Sequence, residues 1–303
     1  MDEPETPGGE SSGFSFATLC AHAGEPRSVD VGAGARSHVS PIYQQTVFDF
    51  PSLEATEPAL AGEGYVYRRN GMPNADELGA AVAVLEGAEV GCATSSGMGA
   101  IVAAVLACAR AGDRVLVQCD AYGGTMGMFV ADLGRLGMSV EPVEVYDVDR
   151  LVGVLDGARL LVVESIGNPL LMRPDIEAIS GECRKRGVTL IVDNTFATPL
   201  GERPLGRGAD LVIHSATKFL GGHHDACAGV VVGSREVVGH AAGVVKRMGL
   251  VAAPFDAWLV VRGMRTLEVR MQRAWVNALK LGDRLADDAR VARVYRADRC
   301  ALV

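Results

Sequence analysis

Lys218 is one of only four lysines in a chain with 29 basic residues, so arginine is the default surface cation here. Lys185 falls in the Arg184-Lys-Arg186 run, Lys246 adjoins Arg247, and Lys280 lies in a helical stretch; all three read as ordinary solvated charges. Lys218 sits instead in His214-Ser-Ala-Thr-Lys-Phe-Leu-Gly-Gly222, among small and apolar residues and directly after an apolar run. Desolvation disfavours the charged ammonium, and the neutral amine it leaves is a nucleophile toward an aldehyde. Taken alone, the same lysine is better read as a loop residue whose head snorkels to water.

Three other groups of residues reverse that preference. Thr94-Ser-Ser-Gly-Met-Gly-Ala100 is a small-residue turn between a strand and an apolar helix. Free backbone N–H groups in such a turn, together with the positive end of the helix dipole, hold a phosphate. Ser215 and Thr217 can add hydroxyl donors to the same anion. Asp193 ends the run Thr189-Leu-Ile-Val-Asp193, where a buried carboxylate needs a cationic partner such as a protonated pyridine nitrogen. Tyr122, in Asp120-Ala-Tyr-Gly-Gly-Thr125, has a ring free to stack on a flat cofactor. These groups together specify pyridoxal 5′-phosphate (PLP), with Lys218 as its Schiff-base partner. The rival reading is a dinucleotide site at Gly97-Met-Gly99, with Asp120 after the next strand. Val102 replaces the third glycine of that pattern, and Lys218 and Asp193 are left without a role.

These residues need a frame that brings strand ends together. The β-branched runs Glu89–Ala93, Arg114–Gln118, Val140–Val145, Arg159–Val163, Thr189–Val192, Leu211–His214 and Gly229–Val232 predict the strands of a mostly parallel sheet. Several are apolar on both faces, as strands between two helix layers must be. Open α/β sheets bind ligands at the carboxyl ends of their strands, where the candidate residues fall. Past Pro254, Leu259, Met264, Leu267, Met271, Trp275 and Leu279 at helical spacing predict one long helix, roughly Phe255 to Asp287. The domain reading is an acidic, Gly/Ser/Pro-rich disordered tail over 1–15 and an N-terminal arm over 16–62 that packs on a neighbouring subunit. A cofactor-binding large domain over 63–253 follows, then, over 254–303, a long connector helix and the start of a truncated C-terminal domain.

A net charge of −8 argues against a nucleic-acid surface and for small-molecule partners. The seven cysteines are odd in number and contain no CxxC pair, which suggests neither a disulfide framework nor a metal cage and fits a reducing cytoplasm. The longest apolar run, Met98 to Ala109, is shorter than the roughly 20 residues a membrane span requires, and the first residues lack a signal-peptide pattern. The expectation is a cytoplasmic enzyme with an amino-acid substrate and no membrane, metal or nucleic-acid partner.

With these residues in place, the chain resembles the Cys/Met-metabolism family of PLP enzymes, which includes cystathionine γ-synthase, cystathionine lyases, methionine γ-lyase and the homoserine-ester sulfhydrylases. The resemblance runs from about His22 to Arg293 and is most specific at Ser215-Ala-Thr-Lys218, continuing through Gly222-His223. It implies an α/β, aspartate-aminotransferase-like large domain, with Lys218 as the Schiff-base lysine, Asp193 paired to the pyridine nitrogen and Tyr122 stacked on the ring. Asn168, in Glu164-Ser-Ile-Gly-Asn-Pro169, matches the asparagine near the cofactor's phenolic oxygen. Gly97 and Met98 match the backbone phosphate donors, and Ser215 and Thr217 the hydroxyl donors. Tyr67 and Arg69 match a pair that reaches the phosphate of a neighbouring subunit's cofactor, which makes a dimer the minimal active unit and a tetramer the family norm. The implied chemistry is γ-elimination or γ-replacement on a homoserine ester, cystathionine or a related sulfur amino acid, with β-elimination also open to the scaffold.

The chain departs from the family pattern at several positions. Gly127 stands where several cystathionine-handling relatives carry an arginine, Gly124 where typical methionine γ-lyases carry a cysteine, and Ala274 where relatives usually carry a histidine. The family continues for roughly another hundred residues, the size of a small domain. That domain normally supplies the arginine for the substrate α-carboxylate, and Arg296 and Arg299 have no motif support as replacements. Two expectations follow: an active C–S lyase or γ-replacement enzyme whose C-terminal small domain is largely missing, or a truncated PLP-binding member with impaired catalysis and a residual structural role. His223 reads as a satisfied structural histidine.

Overall fold

The computed structural model describes residues 13–24 and 37–297. Among them, seven strands form one sheet: β1 (Val90–Thr94), β2 (Arg114–Gln118), β3 (Ser139–Val143), β4 (Leu160–Glu164), β5 (Thr189–Asp193), β6 (Leu211–Ser215) and β7 (Gly229–Gly233). Their order across the sheet is β1-β7-β6-β5-β4-β2-β3. Each predicted run forms a strand close to its expected bounds. The pairings among β2 to β6 are parallel, but β7 runs antiparallel to both β6 and β1. The stretch between β6 and β7 contains no helix, and a chain that turns back without a crossover helix can only pair antiparallel.

The helices in chain order are α1 (Phe16–Ala21), α2 (Leu53–Pro58), α3 (Pro73–Glu86), α4 (Gly97–Cys108), α5 (Gly123–Gly127), α6 (Val148–Leu155) and α7 (Ile176–Arg186), then α8 (Thr198–Gly201), α9 (Arg235–Met248), α10 (Pro254–Met264) and α11 (Leu267–Ala286). Successive strand residues point to opposite faces. Leu116, Leu161, Leu190 and Val212 therefore join α3, α6, α7 and α10 in one core, while Val117, Val162, Ile191 and Ile213 join α4 and α9 in the other. Each such leucine, shielded from water on both sides of the pleat, contributes about 1.5–3 kcal/mol. The two cores clamp the sheet, so its strand ends are rigid platforms for side chains.

The single long helix expected past Pro254 is two helices. At Thr266 the backbone (φ −113°, ψ 12°) leaves the helical region, and both its N–H and its hydroxyl donate to Gly263 O at 3.2 Å. Gly263 is pressed against the Gly221 backbone, where a Cβ would lie 2.1 Å from the Gly221 carbonyl oxygen. The bend aims Arg270 of α11 at the loop after β6, where its guanidinium donates to Phe219 O at 2.9 Å and Leu220 O at 3.3 Å.

The expected tail over 1–15 falls largely outside the described residues, but Ser15 is ordered and caps α1, accepting the Thr18 N–H at 3.2 Å. Phe16 and Cys20 of α1 are buried in this chain's own core. Further along the arm, Asn74 of α3 accepts from Tyr43 N–H and donates to Pro41 O, both at 2.9 Å, and Trp258 Nε1 donates to Ser40 O at 3.0 Å. Val47, Leu53 and Leu60 of this segment are exposed. Among the described residues, no helix is long and apolar enough to cross a membrane.

Candidate functional site

Lys218, Asp193, Tyr122, Asn168, Gly97, Met98, Ser215 and Thr217 line one cavity of about 430 Å³. They follow the carboxyl ends of β1, β2, β4, β5 and β6, so the sheet order itself assembles them. Glu164, Thr195, Phe196 and Cys227 share the same wall without having been singled out from the sequence.

One end of the cavity is the start of α4. Ser96 caps it, its hydroxyl accepting Gly99 N–H at 3.0 Å. The N–H groups of Gly97 and Met98 have no carbonyl one turn back, and the helix dipole adds positive character, so this corner suits an anion. A Cβ on Gly97 would lie 2.6 Å from Ser215 Cβ, and one on Gly229 would lie 2.2 Å from Ser96 O. Glycine at both positions lets backbone close the corner. The Ser215 hydroxyl has no partner among the described residues, whereas the Thr217 hydroxyl already donates to Ala228 O at 3.2 Å and accepts Ala228 N–H at 3.1 Å.

Asp193, at the end of β5, is held by Thr195, whose N–H and hydroxyl reach Oδ1 at 3.0 and 2.5 Å. Oδ2 has no partner among the described residues. Burial pushes the Asp193 carboxyl above its ordinary value, so the site favours a cationic partner. Below it, Glu86 Oε1 accepts Asn194 Nδ2 at 2.7 Å and meets His214 Nε2 at 2.6 Å, all three residues being buried.

Lys218 corrects one expectation. The sequence suggests a desolvated amine, yet the side chain is exposed at the cavity mouth. The chain turns straight after β6, with Lys218 N–H donating to Ser215 O at 3.1 Å and Gly222 N–H to Lys218 O at 2.8 Å, and Lys218 lines the cavity from this turn.

Tyr122, exposed on one side, precedes α5, and a Cβ on Gly124 would lie 2.5 Å from its ring. Gly127 has open space around it, so the missing arginine side chain leaves no packed substitute. Glu164, at the end of β4, accepts Tyr122 N–H at 2.7 Å and Asn168 N–H at 3.1 Å. Burial raises its carboxyl to about 7, with the negative charges of Asp193 and Asp120 adding to the rise. A carboxylate closing the otherwise apolar run Leu160–Val163 is the signal that could have flagged it. For Thr195 the signal is its place two residues after Asp193, where a hydroxyl can close a turn.

Tyr67 and Arg69 lie outside this cavity. Arg69 stacks over the Tyr67 ring, 5.6 Å from its centroid, and donates to Lys246 O at 3.0 Å. His223 Nδ1 donates to Gly221 O at 2.7 Å, the structural role expected of it.

The sequence profile of the Cys/Met metabolism PLP-dependent enzymes matches residues 17–298. The chain belongs to that family. The L-methionine gamma-lyase of Pseudomonas putida is 39% identical over 92% of this chain and 71% of its own length. Cystathionine gamma synthase from Xanthomonas oryzae pv. oryzae, solved in complex with cystathionine, superposes with a TM-score of 0.85 at 34% identity, covering 94% of this chain and 71% of that one. A putative O-acetylhomoserine (thiol)-lyase from Campylobacter jejuni carries a pyridoxyl-lysine phosphate; it superposes with a TM-score of 0.83 at 27% identity, covering 91% of this chain and 76% of that one.

The family cofactor is PLP, and the cavity fits it on its own terms. An anion corner of free N–H groups, a buried carboxylate with one oxygen unengaged, and a primary amine share one space of suitable size.

Proposed function

We propose that this family member catalyses γ-elimination or γ-replacement on a sulfur-containing amino acid or homoserine ester. The observation that carries the reading is the convergence of Lys218, Asp193 and the start of α4 on one cavity. PLP bound there supplies an electron sink for negative charge developed on substrate carbon. Lys218 anchors the cofactor through its amine and, once released, moves protons at substrate Cα and Cβ. Asp193 keeps a proton on the pyridine nitrogen. Tyr122 covers the ring, Asn168 serves its phenolic oxygen, and Gly97, Met98, Ser215 and Thr217 bind the phosphate.

Tyr67 and Arg69 belong to the same proposal through a second copy of the chain, because within one copy neither lines the cavity that holds Lys218. The exposed apolar residues Val47, Leu53 and Leu60 support an arm over 16–62 that meets another subunit. A homo-oligomer of active-site pairs, in the cytoplasm, completes the reading, with residues 63–253 as the cofactor-binding domain.

The test is a substrate panel on PLP-loaded protein: methionine, cystathionine and O-acyl homoserines, with and without an added thiol. Release of a 2-oxo acid with ammonia, or appearance of a new thioether, is expected for at least one member. Bound PLP with no product from any of them would contradict the proposal.

A further inference from the structure

We propose that Glu164 is a positioning residue for the cofactor ring, a single carboxylate that fixes the Tyr122 ring and the Asn168 amide relative to each other; this rests on the PLP reading above. Its two oxygens are divided between two loops. Oε1 accepts the N–H of Tyr122, after β2, and Oε2 accepts the N–H of Asn168, after β4. Both loops thus take their position from one buried side chain. Each carboxyl oxygen has lone pairs for the one N–H it accepts, whereas an amide keeps only one such acceptor.

The carboxylate is anchored in turn. The Glu164 N–H donates to Gln118 Oε1 at 2.9 Å, and Gln118 is fully buried. Gln118 Nε2 reaches Asp120 Oδ1 and the Tyr146 hydroxyl, both at 2.9 Å, and that hydroxyl donates to Asp120 Oδ2 at 2.8 Å. Gly167, between Glu164 and Asn168, lies flat on this network: a Cβ there would come within 2.9 Å of the Tyr146 hydroxyl and 3.1 Å of Gln118 Nε2. The loop after β4 is therefore held from below by side chains that also hold the loop after β2. Two ring-facing groups from separate strands share one support, and that support lines the cavity itself.

Glu164→Gln is a sharp test, since the amide turns an N–H donor toward one of the two backbone donors. The full chain is compared with wild type by hydrogen exchange, with and without PLP, and by visible circular dichroism of the bound cofactor. Exchange in peptides covering 119–125 and 165–171 should rise by at least about threefold, while 189–193 and 229–233 keep wild-type rates. The dichroic band should lose about half its intensity, and PLP should bind about tenfold more weakly, or about 1.4 kcal/mol. Glu164→Asp, shorter but anionic, should loosen only one of the two peptides, and it decides the matter if the glutamine variant does not fold. A wild-type dichroic band and wild-type exchange in these variants would overturn the proposal, as would exchange raised equally in the strands. A wild type that binds no PLP sinks the cofactor reading instead, a result distinct from either.

Discussion

The hydroxyl of Thr195 donates to Asp193 Oδ1 at 2.5 Å and accepts the Ser215 N–H at 2.8 Å. One side chain thus ties the carboxylate proposed to face the ring nitrogen to the strand end that carries Ser215 and, three residues on, the lysine proposed to hold the cofactor. Thr195→Val keeps the shape and removes both bonds. Hydrogen bonds to charged groups contribute about 1.5–3 kcal/mol, so PLP affinity should fall by at least about tenfold. Thr195→Ser should restore it. Titration of the PLP-free chain with PLP reads the difference, and equal affinity in the valine variant would remove Thr195 from the account.

Gly97 offers a second, steric test. A methyl group there would stand 2.6 Å from Ser215 Cβ, inside contact distance, and both residues border the anion corner. Gly97→Ala should therefore cost about 1–3 kcal/mol of stability as neighbouring backbone shifts. PLP affinity should fall as well. Gly127→Ala, at a helical φ of −58° with open space around it, is the matched control: it should leave PLP affinity unchanged and raise stability by about 0.4–1 kcal/mol.

The strands were legible because their apolar, β-branched runs face two cores, and burial on both faces leaves a continuous signature. The direction of β7 was not, because it follows from a connection without a helix. The bend at Thr266 was hidden because apolar residues keep helical spacing across it. Lys218, Asp193 and Tyr122 stood out as chemistry at strand ends. Glu164 and Thr195 did not, since their work is to accept or donate hydrogen bonds across strands whose pairing no local pattern reveals. The exposure of Lys218 depends on a turn geometry that residue types alone leave open.

Stability without PLP should depend on pH through Glu164. Its carboxyl rises from an ordinary 4.5 to about 7 in the folded chain, so the proton is held more tightly folded than unfolded. The stability this contributes is complete below the unfolded value and is lost as pH rises through the folded one. Relative to Glu164→Gln, wild type should lose thermal stability between about pH 5 and about pH 8. Parallel melting-temperature curves for the two proteins over that range would contradict the burial argument.

Subunit exchange tests the roles of Tyr67 and Arg69. If they act on a neighbouring copy's cofactor, Lys218→Ala and Arg69→Ala chains, each inactive alone, should recover about a quarter of wild-type activity when mixed and reassembled in equal amounts, because random pairing of two copies leaves one intact site in half of the dimers. Light scattering of the wild type should give at least a dimer. A monomer, or no recovery on mixing, would return Arg69 to its contact with Lys246 and leave it no part in binding.

Borohydride reduction of the PLP-loaded chain followed by peptide mass mapping decides whether Lys218 holds PLP. A pyridoxyl-phosphate adduct confined to the peptide containing Lys218, and absent from Lys218→Ala, is the predicted result. An adduct spread over Lys185, Lys246 and Lys280, or none at Lys218, would contradict the account.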